Sequence, residues 1–178
     1  MRSFIALELP ENIISYLQEV ASSFSMSILG RFVKKKDYHS TLFFFENFTG
    51  NVDAICRYID SLGLKTVSAE LTGTRFFKRG EEPSVLYVSY RSDEVVSLFE
   101  NLRDFIKKEK ISFDEKPFKG HITICRIKKL LDPGDFYDRI KIFSNINIDF
   151  RFRSISFFES KLTPDGPIYK NIFRKEFE

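Results

Sequence analysis

The chain has 178 residues, 43% of them apolar and 30% charged, a balance that fits one globular unit and excludes a disordered or fibrous chain. Two cysteines and two histidines are too few for a disulfide framework or a zinc-ligand set, and no apolar run approaches the roughly 18 residues that span a bilayer. The net charge of +3 is mild, but the cations are clumped: Arg31 with Lys34, Lys35 and Lys36, then Lys107, Lys108 and Lys110, then Arg126, Lys128 and Lys129.

Residues 2–9 read as a strand stopped by Pro10, and the acidic Glu8 comes too early for a secretory leader. A reduced cytoplasmic location is therefore expected. Pro10 or Glu11 opens a helix whose apolar face is Ile13, Ile14, Leu17, Val20, Ala21 and Phe24. A basic linker follows, then a strand from His39 to Phe45. Residues 51–62 form a second amphipathic helix, and 66–73 a further strand. Pro83 precedes a strand over 84–90, and Asp93 caps a long helix carrying Val95, Val96, Phe99, Leu102 and Ile106. A strand spans 121–127, Pro133 to Phe143 is a short helix, and strands lie near 147–159 and 168–177. Pro164-Asp165-Gly166 sets a tight turn between the last two.

Sliding the second half over the first by 82 residues superposes these elements. Ile13 falls on Val95, Leu17 on Phe99, Val20 on Leu102, Phe24 on Ile106, His39 on His121 and Thr41 on Thr123. The pattern is that of an internal repeat, approximately 1–73 and 83–155, followed by a C-terminal hairpin over 156–178. Short period-2 runs between helices give an α+β fold, two sheets with helices packed outside, in a single domain over 1–178.

The only two histidines both stand in the pattern His-x-Thr-x: His39-Ser40-Thr41-Leu42 and His121-Ile122-Thr123-Ile124. Side chains alternate along a strand, so each His projects with its Thr onto one face. With 7 threonines in the chain, random placement would produce both matches in roughly one such sequence in 600. Imidazole titrates near pH 6.5, so of two rings facing a phosphate one can take a proton while the other gives one. The hydroxyls would bond the non-bridging phosphate oxygens. This chemistry calls for no metal and no cofactor, and two histidines lack the third protein ligand of a catalytic zinc site. Cys125 lies on the face of Thr123 by simple alternation but has no nucleophile motif around it. Simple alternation also sets Phe43 on the face of His39 and Thr41, where it could stack on a base or fill the cleft floor. Basic clusters with aromatic neighbours suit single-stranded nucleic acid.

Paired His-x-Thr-x motifs about 80 residues apart resemble the two-histidine phosphoesterase superfamily, and within it the RNA 2′,3′-cyclic phosphodiesterases, also called 2′-5′ RNA ligases. The likeness extends to Met1-Arg2-Ser3-Phe4-Ile5-Ala6, to Gly120-His121-Ile122-Thr123-Ile124-Cys125-Arg126, and to the tail Phe158–Tyr169. It implies a bilobal fold of two pseudo-symmetric antiparallel-sheet lobes with a cleft between them. His39 would be the proton donor and His121 the proton acceptor, with Thr41, Thr123 and Arg126 on the phosphate; Tyr169, in the tail, could line the cleft and stack on a base. Simple alternation turns Arg126 away from the histidines, so its role requires a twist or a strand end. The implied substrates are RNA ends with 2′,3′-cyclic phosphate, or small cyclic nucleotides, acted on by a monomer away from membranes. Two other readings stay open: RNA end joining at the same site, and a nucleotide- or RNA-binding module with little turnover. The resemblance departs at Ser40, a small polar residue on the strand's core face, and at Phe43-Phe44-Phe45-Glu46, where the family tends to have a basic residue and, further on, Gly.

Overall fold

A computed structural model describes residues 1–178. Nine strands and four helices alternate along it: β1 (Ser3–Glu8), α1 (Glu11–Phe24), β2 (Ile28–Phe32), β3 (His39–Phe45), α2 (Val52–Ser61), β4 (Ser68–Arg79), β5 (Glu82–Arg91), α3 (Asp93–Lys108), β6 (His121–Leu130), α4 (Pro133–Ile142), β7 (Ile148–Arg151), β8 (Ser154–Thr163) and β9 (Gly166–Glu176). The strands build two antiparallel sheets, one ordered β3-β1-β8-β9 and the other β2-β6-β5-β4-β7. β3 lies against β6, so the two His-x-Thr strands sit where the sheets meet. No helix is long and apolar enough to cross a membrane.

Helix spacing decides what is buried. In α1 the residues Ile13, Leu17, Val20 and Phe24 are buried, four and three apart, whereas Ile14 and Ala21 lie at the edge of that stripe. α3 buries Val95, Leu98, Phe99, Leu102 and Ile106, but Val96 is 43% exposed. The cap of α3 is Ser92, whose hydroxyl accepts from the Val95 N–H at 3.1 Å; Asp93 is instead the first helical residue, where its charge opposes the positive end of the helix dipole. Phe24 meets Phe136 of α4 edge-on, and Tyr58 of α2 stacks on Phe105 at 4.1 Å, so the helices pack in pairs. One core of 35 buried residues runs through both lobes.

The lobes do not follow the order of the chain. β2 and β4, from the first part of the sequence, lie in the second sheet, while β8 and β9 complete the first. The run over 147–159 is therefore two strands in two sheets, β7 on β4 and β8 on β1. β2, over residues expected to be a linker, pairs with β6 through Arg31 opposite Arg126.

Candidate active site

Each histidine opens its strand and is fixed in the same way. The Nδ1–H of His39 donates to the Asp37 carbonyl at 2.7 Å, and that of His121 to the Lys119 carbonyl at 2.7 Å. Asp37 and Lys119 are themselves 82 residues apart, two before each ring. Since Nδ1 carries the proton in both, Nε2 is the titrating nitrogen of the neutral ring. In His39 it accepts from the Thr41 hydroxyl at 3.0 Å. Gly120 lets β6 start beside β5: a Cβ there would lie 2.6 Å from the Tyr90 carbonyl oxygen.

Aromatic rings hold both imidazoles. Phe4 stacks on His39 with centroids 4.9 Å apart, and Tyr169 meets His39 edge-on at 5.6 Å. Phe77 and Tyr87, stacked on each other at 4.2 Å, meet His121 edge-on at 5.3 and 5.6 Å. The Lys119 ammonium sits 5.1 Å from the centre of the Phe77 ring. Half-burial among these rings lowers the pKa of both histidines below the ordinary value, because the charged form loses hydration. Secondary influences differ in sign. Asp37 and Glu8 favour protonated His39, which is opposed by the charge of His121, whereas Lys119 and Arg126 disfavour protonated His121.

One irregularity occurs twice and reassigns three residues. β3 bulges at Leu42, so that Thr41 pairs with Ala6 but Phe43 pairs with Ile5. β6 bulges at Ile124, with Thr123 opposite Tyr87 and Cys125 opposite Leu86. A bulge puts two successive side chains on one side and resets the alternation after them. Leu42 and Phe43 are accordingly both buried, as are Ile124 and Cys125. Phe43 thus leaves the face of His39 and Thr41: it is 3% exposed and stacked on Phe99 at 4.7 Å, in the core rather than against a base. Cys125 is likewise interior, its thiol pushed up to about 12 by burial, far from any thiolate role. Arg126 moves the opposite way, onto the face of His121 and Thr123, and its charge reaches both His121 and Tyr169. Phe44 takes the matching place on β3, with the Arg2 guanidinium 4.5 Å above its ring and forked onto Glu46.

The structure therefore gathers His39, Thr41, His121, Thr123, Arg126 and Tyr169 on the facing surfaces of two adjoining sheets and removes Phe43. Sequence reasoning missed Phe4, Phe77, Tyr87 and Lys119. Phe4 carried a usable signal: it stands four positions before Glu8 on β1, hence on the same face, and Glu8 is the residue that pairs with His39. Ser40, the polar residue on the core face, is matched by a hydrogen bond to the Tyr90 hydroxyl at 2.6 Å, which ties the two lobes together behind the histidines. Arg31 reaches across from β2 to the β8–β9 turn, where its Nη1 would lie 3.2 Å from a Cβ on Gly166.

Two antiparallel sheets thus meet along a pair of His-x-Thr strands in a bilobal α+β frame. A family model described as LigT like Phosphoesterase matches residues 89–169. An RNA 2′,3′-cyclic phosphodiesterase of Thermotoga maritima is 30% identical, the match covering 100% of this chain and 96% of the relative. Among solved structures, a protein of Thermus thermophilus superposes with TM-score 0.80 at 23% identity, over 99% of this chain and 98% of the other. E. coli LigT complexed with NADP+ superposes with TM-score 0.72 at 17% identity, over 99% and 97%. The chain belongs to the LigT-like RNA 2′,3′-cyclic phosphodiesterase family and is an enzyme, a hydrolase of phosphodiester bonds.

Proposed function

We propose that the enzyme opens 2′,3′-cyclic phosphates at RNA or nucleotide ends to 2′-phosphomonoesters by acid–base catalysis between His39 and His121, without a metal ion. The observation that carries this reading is the pair of matched imidazoles in unlike electrostatic surroundings. Each exposes the same nitrogen, but cations beside His121 favour the neutral ring and carboxylates near His39 favour the imidazolium. Opposed environments of this kind sort two like groups into a base and an acid. His121 then takes a proton from water attacking phosphorus, the P–O3′ bond breaks, and His39 protonates the departing 3′-oxygen. Thr41, Thr123 and Arg126 hold the non-bridging oxygens, where charge is greatest in the transition state. Tyr169 walls the His39 side of the cleft.

The test is hydrolysis of a 2′,3′-cyclic mononucleotide with EDTA present, resolving the 2′- and 3′-phosphate products. EDTA-resistant turnover to the 2′-phosphate alone, lost in His39→Ala and in His121→Ala, is the expected result. Loss of turnover with EDTA, or a 3′-phosphate product, overturns the mechanism. Nucleotide binding without turnover under any condition favours the binding-module reading.

A further inference from the structure

The lysine run that precedes His39 is not absorbed by the catalytic site. Lys34, Lys35 and Lys36 line a groove of about 460 Å³ together with Tyr38, Arg153, Leu9 and Ile14, and with the carboxylates of Glu8 and Glu11. The groove opens at the last rung of the first sheet, where Glu8 pairs with His39. Both carboxylates are already engaged. Arg174 forks onto Glu8 at 2.9 and 2.8 Å, and Lys35 pairs with Glu11 at 2.6 Å. Lys34 and Lys36 keep no carboxylate within ion-pair distance, and Arg153 has only Glu176 at 3.9 Å, both side chains being more than half exposed. The remaining field of the groove is positive.

We propose that this groove is a phosphate-binding track for the RNA strand upstream of the cyclic end, so that an oligonucleotide is preferred to a cyclic mononucleotide. The proposal rests on the acid–base roles assigned above. In-line displacement at phosphorus places the attacking water on the side of His121 and the leaving 3′-oxygen on the side of His39. The ribose that carries this oxygen therefore lies on the His39 side, and the chain leaving its 5′-carbon continues beyond His39. The groove shares Glu8 with the rung beside His39 and so supplies its cations on that side. Lys34, Lys36 and Arg153 would neutralise backbone phosphates without reading sequence, which makes the contribution steep in salt.

Two measurements on the full chain test the proposal. The first is kcat/KM on a cyclic mononucleotide and on an eight-nucleotide single-stranded RNA with a 2′,3′-cyclic end. The second is anisotropy of the same RNA, dye-labelled at its 5′ end, titrated with the His39→Ala/His121→Ala protein across a salt series. The triple variant Lys34→Gln/Lys36→Gln/Arg153→Gln is compared with Lys65→Gln/Lys108→Gln/Lys141→Gln, which removes the same charge at exposed positions elsewhere. The groove variant is expected to lose tenfold or more on the RNA and little on the mononucleotide. The slope of log affinity against log salt should fall by about 2, near 0.7 for each phosphate no longer neutralised. Equal losses on both substrates, or equal losses in both triple variants, overturn the track. A wild-type protein that hydrolyses neither substrate, yet binds RNA through the groove cations, overturns the catalytic reading and leaves the track standing.

Discussion

β3 and β6 carry the same device and surround it differently. Both begin with a histidine held by the carbonyl two residues before it, continue with a threonine on the same face, and then bulge by one residue. Beyond the bulge they diverge, with Phe44 on one strand and Arg126 on the other. Before the ring they diverge again, Asp37 against Lys119. Geometry is thus repeated, while charge and polarity separate the two copies. A symmetric frame positions two identical groups, and a few asymmetric neighbours give them unlike electrostatic surroundings.

The comparison is broken most strongly by removing either ring. His39→Ala and His121→Ala should each lower kcat/KM by about 10²–10⁴-fold with thermal stability nearly unchanged. In the wild type kcat/KM should be bell-shaped with both limbs below the ordinary histidine range, since burial lowers both pKa values. The acid limb should vanish with His121 and the alkaline limb with His39.

The threonines come next. Thr41→Ala and Thr123→Ala should each cost about 1–3 kcal/mol of transition-state stabilisation, read from kcat/KM. Only Thr41→Ala should also displace the alkaline limb, because only Thr41 bonds its histidine in the free enzyme.

Behind the site, Tyr90→Phe leaves Ser40 without its partner and should destabilise the fold by about 1–3 kcal/mol in urea titrations. The double variant Ser40→Ala/Tyr90→Phe should lose less than the two single losses combined.

The smallest effects distinguish the two surroundings. Lys119→Gln removes a cation that disfavours protonated His121, so the acid limb should move to higher pH. Glu8→Gln removes an anion that favours protonated His39, so the alkaline limb should move to lower pH. Stability follows the same linkage. Folded histidines with lowered pKa bind fewer protons than unfolded ones, so the urea midpoint should fall as pH drops below about 6.5 and on through the folded values.

The placing of the two histidines and two threonines together was legible because period-2 alternation survives over three residues and both motifs sit at one shift of 82. Simple alternation misplaced Phe43, Cys125 and Arg126, the last set at the site only by the resemblance, because a one-residue bulge inverts every later position and leaves no mark in hydrophobic patterning. The helices were legible to within one or two residues, with Ser92 rather than Asp93 as the cap a matter of local hydroxyl geometry. The exchange of strands between sheets was not, because periodicity reports which residues face a core and is silent on which sheet supplies it. β2 was hidden for a simpler reason: of its five residues only Ile28 is buried, and the exposed Leu29-Gly30-Arg31 reads as linker.

That exchange has a consequence for synthesis. β1 is buried along almost its whole length, and it is flanked by β3 on one side and by β8 on the other. β8 begins at Ser154, so at about 5–20 residues per second the ribosome takes roughly 7–30 s between finishing β1 and starting the strand that completes its sheet. During that interval β1 presents an unpaired apolar edge, a template for association with another nascent copy. The enzyme's first lobe is therefore the last to close, and a chain cut short before Ser154 would carry both histidines, with His39 on a sheet left open to aggregation.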